Sequence, residues 1–154
     1  MTAAAPAEIW FYHLERTGLD QALPELLEKT LAKGWRAVVR ALAPERLEQL
    51  DAALWSWRDE SFIPHGLEAE PHAERQPVVL STGVGNPNGA HALFLIDGAE
   101  PGPLDGYERC VILFDGRDEA ALAAARGRWS ALKQAGATIS YWKQTPRGAW
   151  EKQA

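Results

Sequence analysis

The 154-residue sequence has a single cysteine, a single methionine, four histidines, and more acid than base, with a net charge of −5. Each scarcity excludes something. One thiol, Cys110, builds neither a disulfide framework nor a four-cysteine metal site. It sits inside the apolar run "RCVILF", the setting of an inert core thiol. His13, His65, His72 and His91 have no partner ligand at helical spacing, so zinc spacing is missing. There is no Gly-x-Ser-x-Gly elbow for a serine nucleophile. No apolar run approaches the ~20 residues that span a bilayer. The first residues, "MTAAAPAE", lack the basic and apolar regions of a signal peptide, and 1–7 read as a frayed tail. A cytoplasmic location is the default expectation, with one domain over 1–154.

Charge is unevenly distributed. Residues 1–116 hold 9 Lys/Arg against 18 Asp/Glu, and residues 117–154 hold 7 against 3. A protein whose main task is gripping phosphate backbone carries a broad basic surface. This chain offers at most a local one, which suits an acidic peptide at least as well as nucleic acid.

Strands and helices alternate along the chain. "EIWFYHL" (8–14) is aromatic and β-branched and predicts a strand. "TGLDQALPELLEKTLAKG" predicts a helix with Asp20 as N-cap, Pro24 in the first turn and Gly34 at the stop. Leu23, Leu26, Leu27 and Leu31 form its buried stripe. A strand over 36–42 follows. Next comes a helix, "APERLEQLDAALWSW", with Leu47, Leu50, Leu54 and Trp57 on one face. "QPVVLS", "HALFLI" and "RCVILF" are near-continuous apolar runs, as in strands covered on both faces. Residues 66–76 read as an acidic loop and 82–91 as a Gly/Asn/Pro loop. The longest helix covers 118–135, from Asp118 to a stop at Gly136, "ATISYWK" is a last strand, and "GAWEK" has no clear conformation. The alternation implies right-handed crossovers and a three-layer α/β/α fold with a mainly parallel, Rossmann-like sheet.

Three features could carry chemistry or binding. Gly83-x-Gly85 and Gly89 follow a strand, loosely as a phosphate loop does, but no lysine is near and another strand follows, so turn chemistry is the simpler reading. With Asp97 and Asp115 ending their strands, this loop defines the alternative function, a nucleotide-binding or Mg-dependent phosphoryl-transfer enzyme. The second feature is on the long helix, where Leu122, Arg126, Trp129 and Lys133 lie within about 60° of one another. Trp129 there is either boundary core with a solvated cationic rim or the slot of a receptor for an acidic peptide carrying an aromatic side chain. Ala121, Ala125 and Leu132 form the neighbouring stripe that faces the sheet. The third is "ALWSWRDESFIPHG" (53–66), whose Trp55 and Trp57 are about 160° apart on a helical wheel. One of them, with Phe62, is either folded onto the core or offered to a partner.

Taken with "FYHL", "LDAALWSWRDESFIPHG", "RCVILFDG", "AARGRWSALKQAG", "ISYWKQ" and "GAWEK", the sequence resembles the chi subunit of bacterial DNA polymerase III holoenzyme, over nearly its whole length and in the same order. The resemblance implies an α/β/α fold and a non-enzymatic, cofactor-free clamp-loader accessory protein. Its partner would be the acidic C-terminal tail of single-stranded-DNA-binding protein, which ends in an aromatic residue with a free carboxylate. Arg126 and Trp129 match the family positions that hold this tail, and the family often has Tyr where Trp129 stands. Trp55 and Phe62 match positions implicated in binding the psi subunit or a competing helicase-like partner. DNA would then be contacted mainly indirectly; direct binding through the basic C-terminal part is the weaker reading.

Overall fold

The computed structural model describes residues 7–153 apart from 16–17, 57–62, 69, 103, 105 and 148. Its strands are β1 (Glu8–Leu14), β2 (Ala37–Arg40), β3 (His65–Leu67), β4 (Val78–Ser81), β5 (Ala92–Leu95), β6 (Arg109–Asp115), β7 (Ile139–Gln144) and β8 (Trp150–Lys152). The helices are α1 (Leu19–Ala32), α2 (Pro44–Trp55) and α3 (Glu119–Gln134). The strands form one sheet in the order β3-β4-β2-β5-β6-β1-β7-β8. Every pairing is parallel except β7 with β8.

Strand alternation sorts the core into two layers. Tyr12, Val39, Leu80, Phe94, Val111 and Leu113 pack with Leu23, Leu26 and Leu27 of α1 and Leu47, Leu50 and Leu54 of α2. Their neighbours Phe11, Val38, Leu93, Leu95, Cys110, Ile112 and Phe114 pack with Ala125 of α3 on the other face. The expected α/β/α layering is therefore present, with two helices on one face and one on the other. Cys110 is fully buried, and burial pushes its thiol up to about 12, as expected of a core sulfur.

Some local expectations need correction. The N-cap of α1 is Gly18, with no side-chain hydrogen bond, and Asp20 lies in the first turn. Residues 66–76 include the end of β3 and a 3-10 turn, Ala73–Arg75. The short β3 holds because His65 is anchored, with Nδ1 2.7 Å from the Ile63 carbonyl and Nε2 2.9 Å from Asp51 Oδ1 on α2. "GAWEK" contributes the antiparallel edge strand β8. Asp118 does cap α3, its Oδ1 accepting from the Ala120 and Ala121 amides at 2.9 and 3.2 Å.

Residues 82–91 form a loop, as expected, and its partners explain its course. Arg40, at the end of β2, is 2 % exposed. Its guanidinium donates to the carbonyls of Pro101 (2.7 Å), Glu100 (3.2 Å) and Gly85 (3.5 Å). Tyr107 Oη donates to the Gly85 carbonyl at 3.3 Å. One buried cation thus ties two loops to the sheet. Replacing Arg40 with Met should loosen these hydrogen bonds by about 1–3 kcal/mol. Amide exchange should quicken in 83–89 and 99–102 while β6 stays protected; uniform protection across all three would contradict the anchoring role.

Candidate functional site

The two faces of the sheet part at β1 and β6. The chain leaves β1 for α1 on one side and leaves β6 for α3 on the other, which is a topological switch point. A crevice of about 530 Å³ opens there, lined by Leu14, Gly18, Arg46, Asp97, Asp115 and Asp118 among others. Asp97 and Asp115 do meet in this crevice, but each is already engaged. Arg46 Nε lies 2.8 Å from Asp97 and Arg117 Nε 2.9 Å from Asp115, whose pKa its hydrogen bonds to Arg117 lower. The Gly83–Gly89 loop is not part of the lining. Among the described residues no group of three acidic, histidine or cysteine side chains is placed to hold a metal.

On α3 the two stripes have the expected relation to the sheet. Ala125 is buried, and Ala121 and Leu132 pack on the same layer. Leu122 and Trp129 are half-buried beside them; Arg126 and Lys133 are exposed. The Trp129 ring meets Phe11 edge-on at 5.5 Å and Tyr141 at 5.6 Å, seating this edge of α3 over β1 and β7. Parallel pairing sets Phe11 opposite Tyr141 and His13 opposite Lys143.

Sequence reading did not single out His13, Tyr141 and Lys143 here. His13 Nδ1 is 2.7 Å from Tyr141 Oη, and its Nε2 is 3.2 Å from Glu15 Oε1, an ion-pair distance without hydrogen-bond geometry. Lys143 Nζ lies 3.3 Å from the same Glu15 oxygen. Burial lowers the His13 pKa, partly opposed by Glu15, so the imidazole is neutral near pH 7. Burial raises the Tyr141 pKa, and the Arg126 charge lowers it. The Arg126 charge also lowers that of His13. Among the described residues neither the Arg126 nor the Lys133 side chain has an ion-pair or hydrogen-bond partner. The alternation of "ISYWK" puts Tyr141 and Lys143 on one face, but their meeting with His13 requires knowing that β1 and β7 are neighbours.

The crevice at the switch point and a second cavity of about 320 Å³ lie elsewhere around α3; their linings include Ala121 and, for the second, Arg128, but neither includes Arg126 or Trp129. The Arg126 edge is thus an open cation beside packed rings. Far from it, Trp55 ends α2 with 55 % exposure and its ring 4.5 Å from His65. Phe62 and Trp57 lie outside the described residues.

An open parallel sheet with helices on both faces, bearing a cation-and-ring edge on its last helix, defines an α/β domain with a charged aromatic surface. The family model described as "DNA polymerase III chi subunit, HolC" matches residues 7–140, and the chain belongs to that family of replicative polymerase subunits. It is 40 % identical over 77 residues to "DNA polymerase III subunit chi" of Pseudomonas aeruginosa, covering 50 % of this chain and 51 % of that protein. It is 29 % identical over 85 residues to "Probable DNA polymerase III subunit chi" of Rickettsia prowazekii, covering 55 % and 52 %. The chain thus matches about half the length of these curated relatives. Among the described residues no helix is long and apolar enough to cross a membrane.

Gly116, just after β6, touches this site from below: a Cβ there would overlap the His13 imidazole. Gly116→Ala should push His13 off Tyr141 and destabilise the fold by about 1–3 kcal/mol. Denaturant unfolding checks it, and an unchanged midpoint would mean that this packing is loose.

Proposed function

We infer that this chain is a non-catalytic, chi-like accessory subunit of the DNA polymerase III clamp-loader assembly, acting in the cytoplasm. In this reading it links the replication machinery to the C-terminal tail of single-stranded-DNA-binding protein. The carrying observation is Arg126, an exposed guanidinium with no acidic partner among the described residues, next to the Trp129–Tyr141 ring pair. A peptide ending in an aromatic residue presents a ring and a carboxylate side by side. The guanidinium takes the carboxylate in a two-pronged hydrogen bond, and the ring packs along Trp129, with Leu122 as its apolar floor. Lys133 attracts the acidic residues upstream. No cofactor takes part.

The second partner, psi or a helicase-like protein, is assigned to the end of α2, where Trp55 supplies an exposed indole braced by His65. Phe62 belongs to the same proposed face by its place in the sequence. Buried aromatic anchors dominate many interfaces, and an indole held by a neighbouring ring enters one with little conformational freedom to lose.

An acidic peptide ending in Phe should bind with roughly micromolar affinity, ~8 kcal/mol. Arg126→Ala should weaken it by about 2 kcal/mol or more. Calorimetric titration of both proteins decides the matter; equal affinity for wild type and variant would remove the site assignment.

A further inference from the structure

The face of the sheet opposite α3 carries a second cation-and-ring system. On this face α1 and α2 pack over the middle of the sheet, and Trp10 of β1, Trp142 of β7 and Trp150 of β8 remain half-buried at its margin. Trp142 stacks on Trp10 at 5.2 Å, and the Arg109 guanidinium lies 3.8 Å over Trp10 and 5.0 Å from Trp35. Trp35 stacks on His91 at 5.8 Å, with Lys33 Nζ 3.8 Å above it. The result is a continuous ladder of rings and cations. Beside it, under α1, is a cavity of about 140 Å³ whose lining includes Trp10, Tyr12, Lys29, Lys33 and Arg109.

The cations of this ladder are uncommitted. Among the described residues Lys29, Lys33 and Arg109 have no ion-pair partner, and Arg109 Nε is buried without a hydrogen-bond acceptor. Glu8 accepts from the Trp10 indole at 3.3 Å, and Glu25 and Glu28 border Lys29 on the outer side of α1. A guanidinium held between two rings keeps its in-plane N–H groups for an oxyanion. One carboxylate needs one such cation, as at Arg126, whereas here three cations border an aromatic ladder. From the start of β5 to β7 the ladder crosses three strand spacings, about 14 Å. That is about four nucleotides at the ~3.4 Å stacked rise, within the site sizes of single-strand binders.

We propose that this ladder is a binding surface for single-stranded nucleic acid, with phosphates on Lys29, Lys33 and Arg109 and a short run of stacked bases alongside the flanking indoles. It lies on the opposite face of the sheet from Arg126 and does not depend on the tail-binding reading. The acidic remainder of the chain limits the grip to this local patch, so binding is weak and strongly salt-dependent.

The test is fluorescence anisotropy of a labelled oligo(dT) of roughly 15 nucleotides, titrated with the full chain at several salt concentrations. Three neutralised phosphates predict a slope of log affinity against log salt of about −2. The exposed pair Lys29→Ala/Lys33→Ala, which leaves the stacked Arg109 in place, should lose affinity at least about tenfold and flatten the slope to roughly −0.7. Arg126→Ala should bind as wild type does. The proposal is overturned by no anisotropy change at low salt, by equal binding of the double variant, or by equal affinity for a duplex of the same length. Displacement of the oligonucleotide by an equal charge concentration of poly-glutamate would also overturn it and assign the ladder to an acidic protein.

Discussion

The Trp129 ring, packed edge-on against Phe11 and Tyr141, is the contact on which the site on α3 depends. Only Ala125 of that helix is fully buried, so most of the helix gives the sheet little to grip. Aromatic pairs of this geometry contribute about 0.5–1.5 kcal/mol each beyond the area they bury. Two of them at one residue fix the rotation of α3 about its axis. That rotation leaves Arg126, one turn earlier on the same edge of the helix, in open solvent. A residue that began as an ambiguous boundary tryptophan is therefore structural and, in the proposed function, also part of the surface that receives a partner.

The parallel sheet explains why the proposed binding surfaces fall where they do. Its two faces are covered by different helices, and the coverage is incomplete at both margins. On the α3 side the margin exposes a cation beside rings; on the α1 side it leaves a ladder of indoles and cations that have no ion-pair partner among the described residues. The crevice at the strand ends, where α/β enzymes commonly bind ligands, is lined by internal ion pairs, Arg46 with Asp97 and Arg117 with Asp115. The loop that resembled a phosphate cradle is held in place by Arg40 and Tyr107. The features that suggested phosphoryl chemistry have internal partners, and Arg126, Lys133, Lys29, Lys33 and Arg109, which lack ion-pair partners among the described residues, lie on the flanks.

Most elements were legible from local pattern. The leucine stripe of α1 and the Asp118 cap and split stripes of α3 carry helical signals, while the apolar runs of β4, β5 and β6 read as strands from their short length and β-branched content rather than from a period. Part of what escaped was set by partners outside the local pattern: β3 exists because His65 reaches Asp51 on α2. β8 is a local hairpin partner of β7, too short for its own residues to show a period. Gly18 caps α1 through backbone geometry alone, with no side chain to reveal it. His13 and Tyr141 join the α3 site only because β7 lies next to β1, and strand order is not written in any local period. Leu122, Arg126, Trp129 and Lys133 were readable as one edge because they share a single helix.

The central claim is that a free chain end is held by the Arg126 guanidinium beside Trp129. Its most direct test compares two peptides of one acidic sequence, each ending in Phe, one with a free terminal carboxylate and one amidated. Calorimetry on the wild-type chain should show the amidated peptide binding about tenfold more weakly or worse, about 1.4 kcal/mol. Equal affinity of the two peptides would contradict the account.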